Sequence, residues 1–72
     1  MDEEILKRSV NSKYGTFIFE LVDYPGPSPL TDIWFNGDHL GWGDYINLNT
    51  ATEMELLELA VNVKYPADDY DY

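Results

Sequence analysis

Asn36-Gly37 sits between two strand-like runs and constrains the fold more tightly than any composition figure. Asparagine and glycine tolerate positive φ at both central positions of a type I′ turn, whose twist matches that of a two-stranded hairpin. The pair therefore predicts a hairpin between residues 32–35 and 38–42. In it Phe35 faces Asp38, Trp34 faces His39 and Ile33 faces Leu40, so Ile33 and Leu40 share one side and Trp34 and His39 the other. Gly41 and Gly43 flank Trp42 and signal a bulge or a close backbone approach. Beyond them the strand is expected to run on irregularly through residues 45–48.

Upstream, residues 4–10 form a short mixed segment with Ile5 and Leu6, followed by a turn-rich stretch at 11–15. Residues 16–24 are rich in aromatic and β-branched side chains, the strongest strand signal in the chain. Phe17, Phe19 and Leu21 alternate onto one face, with Thr16, Ile18, Glu20 and Val22 on the other. A strand apolar on both faces with one embedded charge belongs at the centre of a sheet. Pro25, Pro27 and Pro29 then interrupt any ladder, because proline has no N–H to donate. They read as a stiff connection between strands rather than as a proline-rich ligand for an aromatic groove.

Residues 51–62 contain neither proline nor glycine and read as a helix. Thr50 and Glu53 have the spacing of a capping box, and Asn49 could cap one residue earlier. Met54, Leu57, Ala60 and Val61 make an apolar stripe, widened by Leu56. Glu55 and Glu58 point away from it, with no lysine or arginine spaced to pair with them on their own helix. The fold expected is α+β: a three- to four-stranded antiparallel β-meander with one C-terminal α-helix packed on a face. Its core would be Phe17, Phe19, Leu21, Ile33, Leu40, Leu57 and Val61. Residues 1–65 form the single domain, and 66–72 an acidic tail expected to be mobile.

The chain has no cysteine, so disulfides, thiolate zinc sites and thiol nucleophiles are excluded. Its 72 residues allow one domain, and a domain of this size buries only about 60% of its unfolded surface. With 44% hydrophobic and 15% aromatic residues it is too apolar for a disordered acidic segment. No stretch approaches the roughly 20 apolar residues of a membrane span. The start, Met1-Asp2-Glu3-Glu4, lacks the basic region of a signal peptide. A cytoplasmic location is the expectation.

Charge separates the function classes. Fourteen acidic residues face four basic ones, and the net charge is −10. Asp2, Glu3 and Glu4 balance Lys7, Arg8 and Lys13, so the excess lies downstream, where Lys64 is the sole cation. Such a field repels nucleic acid and attracts basic surfaces. Catalysis has little to stand on. His39 is the only histidine, Asp38 points to the opposite side of its strand, and His39 is expected to pack on Trp34. No phosphate-cradling glycine loop occurs, and neither Asp32-x-x-x-Asn36-x-Asp38 nor Asp68-Asp69-x-Asp71 has calcium-loop spacing. No enzyme activity, metal or cofactor is expected.

What remains is the acidic surface. Glu55 and Glu58 have helical spacing, Glu20 and Asp23 edge one strand, and Asp32, Asp38 and Asp44 stud the hairpin, with Asp68, Asp69 and Asp71 as a supplement. Trp34 or Trp42, if exposed, would be the anchor, since interface energy concentrates in aromatics. The partner expected is a basic nucleic-acid-binding protein or nuclease complex, with no direct contact to nucleic acid or membrane.

In size, charge, lack of cysteine and a β-rich body ending in a helix, the chain resembles the small acidic inhibitors that phages encode against host defence nucleases. Anti-CRISPR proteins and anti-restriction DNA mimics are the examples. The likeness spans the whole chain in composition and architecture and carries no motif. It implies a stoichiometric inhibitor in the host cytoplasm that occupies a basic channel or the protospacer-adjacent-motif-reading site and excludes DNA. The residues also admit a module of another class, an immunity- or antitoxin-like partner of a basic protein. That module would bind through an aromatic patch of Trp34, Trp42 and Phe35.

Overall fold

The Asn36-Gly37 turn forms as its residues dictate, with φ of 51° and 92°. In the computed structural model, which describes residues 4–64, it joins β3 (Leu30–Phe35) to β4 (Asp38–Asp44). Two further strands, β1 (Lys7–Ser12) and β2 (Gly15–Val22), precede them, and α1 (Glu53–Val61) follows. The strands make one antiparallel sheet in the order β1-β2-β3-β4. The fold is therefore α+β, a β-meander with a C-terminal helix, and β2 is an inner strand as its two apolar faces required.

The hairpin register holds for two pairs and then slips. Phe35 faces Asp38 and Trp34 faces His39, but Ile33 faces Gly41 rather than Leu40. Leu40 is the extra residue of a β-bulge. It still packs against the core, yet every later residue of β4 changes side relative to an unbulged hairpin. Gly41 has φ of 157°, and a Cβ there would run into the carbonyl oxygen of Lys64. A Cβ on Gly43 would meet Leu59 Cδ1 at 2.9 Å. Gly43 thus turns its missing side chain toward the helix and Gly41 toward the segment just after it, letting both close onto β4. The regular strand stops at Asp44, so residues 45–48 do not extend it.

The first strand begins three residues later than expected and ends two later, at Ser12. Its hairpin is closed by Lys13-Tyr14, and Ser12 Oγ accepts from the N–H groups of Tyr14 at 3.1 Å and Gly15 at 3.2 Å. Val10, placed inward by this register, is fully buried.

The helix starts later too. Thr52 Oγ1 accepts from the Glu55 N–H at 3.1 Å, and Glu55 Oε1 accepts from the Thr52 N–H at 2.9 Å. The capping box is therefore Thr52/Glu55, not Thr50/Glu53, and Asn49 does not cap. The cause lies just upstream. Ala51 N–H donates to Asn47 O at 2.9 Å, closing a turn in which Leu48 and Ala51 are buried. Arg8 Nη1 donates to Leu48 O at 3.0 Å and to Ala51 O at 2.6 Å. These contacts hold residues 47–51 out of the helix.

The inward stripe is correspondingly different. Leu56 and Ala60 are buried with Val10, Phe19, Ile33, Leu48 and Ala51, and Leu59 and Val63 pack against them. Phe17, Leu21, Leu40 and Leu57 join the core only partly buried. Val61 and Met54 do not join it, being 81% and 78% exposed. Both belong to the flank of a helix that is apolar over a wider arc than the sheet can cover.

Leu56→Ala is expected to cost about 2–5 kcal/mol by leaving a cavity, while Val61→Ala stays within about 0.5 kcal/mol. Thr52→Ala should cost about 1 kcal/mol through the lost cap, and Thr50→Ala far less. Urea denaturation of the four variants checks all of these.

Candidate partner-binding face

Helix α1 covers one side of the sheet, and the register identifies what stands on the other. One cross-strand row reads Lys7, Glu20, Asp32, Trp42, and the next reads Ser9, Ile18, Trp34, His39. A third, at the far end, contains Val22, Leu30 and Asp44. Thr31, Ile33 and Gly43 alternate with these positions and are buried on the helix side. Both tryptophans therefore lie on the face opposite the helix, each half-buried among its neighbours. Trp42 is there because of the bulge: in an unbulged hairpin it would face Thr31 and point into the core.

The face has a defined charge arrangement. Glu20 is directly opposite Asp32, and such pairs place their Cβ atoms about 4.5–5.5 Å apart and repel when alike in sign. His39 Nε2 lies 3.4 Å from Asp32 Oδ1, and its ring packs on Trp34 with centroids 5.0 Å apart. Lys64 Nζ stands 5.1 Å from the centre of the Trp42 ring and 3.4 Å from Asp44 Oδ1. Lys64 is held by a two-way backbone pairing with Trp42, at 2.8 and 2.7 Å. Among the described residues Glu20 makes no ion pair, although Lys7 is its cross-strand neighbour.

Asp44 also borders a second surface. It lines a cleft with Ile46, Glu55, Glu58, Leu59 and Asn62. Carboxylates therefore run from Glu20 and Asp32 on the open face, past Asp44 on β4, to Glu55 and Glu58 on the helix. Glu55 is partly committed, because one of its oxygens closes the capping box. Asp23 and Asp38 stand apart from this belt. Asp23 sits in the bend after β2 with φ of 59° and accepts at its carbonyl from Gly26 N–H at 2.8 Å. Asp38 is exposed beside the hairpin turn. Asp68, Asp69 and Asp71, with the rest of the expected tail, lie outside the described residues.

One correction concerns the aromatics. Phe35 is not on the open face; it packs on the helix side against Phe17, with centroids 4.7 Å apart. Ile18 takes its place there, lining a cleft with Lys7, Glu20, Trp34 and Gly37. The period-2 pattern of β2 had put Ile18 and Glu20 on one side, and that signal identifies the neighbour once the register is known. At the sheet end Tyr24 stacks on Tyr45, with centroids 5.5 Å apart, and its hydroxyl donates to Glu4 Oε2 at 2.9 Å. Among the described residues no group of three or more His, Cys, Asp or Glu could hold a metal ion. No helix there is long and apolar enough to cross a membrane.

Compared with known proteins, the chain matches no family model, no curated protein and no solved structure.

The hydrogen bond to Glu4 pushes the Tyr24 phenol up from 10.0 to about 12, because Glu4 stabilises the protonated hydroxyl and its charge opposes a phenolate. A pKa raised in the folded state contributes stability that is complete below the ordinary value and is lost as pH rises through the folded one. This contribution should therefore persist to pH 10.0 and fade toward about pH 12. Ring-carbon NMR titration should find Tyr24 ionising late, and Glu4→Gln should return it toward the ordinary value.

Proposed function

We propose that this protein is a stoichiometric inhibitor that occupies the nucleic-acid-binding site of a host defence nuclease, of CRISPR-Cas or restriction type. Its carboxylates stand where DNA phosphates would, and it works in the host cytoplasm without catalysing a reaction. The observation that carries this reading is the belt of Glu20, Asp32, Asp44, Glu55 and Glu58. Neighbouring strands lie about 4.8 Å apart and i/i+3 positions on a helix about 5–6 Å. Those spacings approach the charge spacing of one strand of a duplex, about 3.4 Å of axis per phosphate, and so imitate part of its outline.

The belt is weakly neutralised from within. Among the described residues the one carboxylate of the belt that faces a lysine or arginine is Asp44, beside Lys64; Asp32 faces the His39 imidazole, and Arg8 is spent on backbone carbonyls. Arginine and lysine of a target would meet the carboxylates through charge-assisted hydrogen bonds, and long-range attraction would speed the encounter.

A second reading has its own support. Ile18, Trp34 and Trp42 together on the face opposite the helix are the kind of surface an immunity- or antitoxin-like interaction module uses. It predicts binding that depends on the aromatics and little on salt.

Affinity capture from a host lysate at low salt, repeated at about 0.5 M salt and with competing duplex DNA, separates the two, because exposed charge contacts are screened at high salt. The inhibitor reading expects a nucleic-acid-binding partner released by salt and by DNA. A partner that survives both would overturn it in favour of the aromatic module. Glu20→Gln with Asp32→Asn and Glu58→Gln should weaken binding to that partner about tenfold or more. The same variant should melt no lower than the parent, since the Glu20–Asp32 repulsion is removed.

A further inference from the structure

We propose that the cleft beside Trp34 receives an arginine side chain of the partner, its guanidinium laid on the indole and hydrogen-bonded to Glu20. The proposal rests on the inhibitor reading and specifies which residue of the target the open face selects.

The argument starts from a comparison within the molecule. The two indoles of the open face have similar surroundings but different occupancy. Trp42 has a cation over its ring, Lys64 at 5.1 Å, and that cation is clasped by the Asp44 carboxylate at 3.4 Å. Trp34 also has a carboxylate beside it, since Glu20 lines the same cleft. Among the described residues no lysine or arginine stands over the Trp34 ring. The chain thus builds the cation, indole and carboxylate arrangement once in full and once without its cation.

The geometry decides where a cation would enter. His39 is the neighbour of Trp34 on the β4 side and keeps Asp32 engaged at 3.4 Å. The cleft lies on the opposite, β2 side of the indole, where Ile18 and Glu20 supply an apolar floor and an unpaired charge. Its volume is about 170 Å³, room for the end of one side chain. Lys7 borders it but neither pairs with Glu20 nor reaches the ring. Glu20 is moreover opposed across the strands by Asp32, so a bound cation would relieve a repulsion already present in the free protein.

The shape favours arginine over lysine. A guanidinium is planar, stacks on aromatic faces, is more weakly hydrated than an ammonium, and offers a fork of donors to a carboxylate. A lysine head would give up more hydration to enter and could not use the flat indole as well.

The test is a titration of the whole 72-residue protein with two capped pentapeptides, Gly-Arg-Gly-Arg-Gly and its lysine twin, at low salt. The indole N–H resonances are followed in NMR spectra. The arginine peptide should bind about two- to fivefold more tightly. The Trp34 resonance should move further than that of Trp42, and Trp34→Ala should abolish the preference. Glu20→Gln, a conservative change at a partly exposed site, should weaken both peptides and serves if the tryptophan variant folds poorly. Equal affinities, a preference that survives Trp34→Ala, a shift confined to Trp42, or no binding of either peptide would overturn the arginine site. Equal affinities that still collapse with salt would leave the inhibitor reading intact. A captured partner that ignores salt and DNA would overturn that reading whatever the peptides do.

Discussion

The guanidinium of Arg8 ties the two ends of the fold together. It reaches from the first strand to the carbonyls of Leu48 and Ala51, 40 and 43 residues away in the chain. A small domain without disulfides has few ways to fix its edge strand to its helix, and a planar, permanently charged fork of donors is an effective one. The consequence extends beyond the contact. By holding residues 48–51 in a turn, Arg8 sets the residue at which the helix begins, and so which stripe of α1 meets the sheet. It also withdraws a cation from the surface, so the balance of three acids and three bases near the start of the chain is only nominal.

The helix and the segment after it can sit close to the sheet because β4 presents Gly43 to Leu59 and Gly41 to Val63 and Lys64. The bulge at Leu40 arranges that. It puts both glycines on the helix side and sends Trp42, between them, to the open face. The same slip that permits tight packing on one side therefore creates aromatic surface on the other. The carboxylates of that face are held by regular strand pairing, which fixes Glu20 against Asp32 despite their like charge.

Much of this was legible in the residues, and the failures have physical reasons. The Asn-Gly turn, the two faces of β2, the contact of His39 with Trp34 and the close approach at the glycine pair all followed from local stereochemistry. The helix phase did not, because Thr50/Glu53 and Thr52/Glu55 both satisfy the capping spacing. The choice between them depends on a partner more than 40 positions away. The first strand was misplaced because it is an edge strand of polar composition, in which Val10 alone is a fully buried apolar residue. For the candidate site, the types of residue were readable but not their grouping. Glu20, Asp32 and Trp42 share a row only once the register and the bulge are set, whereas Phe35 leaves the patch by plain alternation, being next to Trp34 on β3.

The bulge has a meaning on the scale of genes as well as of ångströms. Which side of β4 faces outward and which faces the core is decided by a single surplus residue, so one codon lost or gained near Leu40 would exchange them. Such a change would set Trp42 against the helix where glycine now stands and turn the glycines outward, so an insertion or deletion here is a far larger step than any single substitution on the same strand.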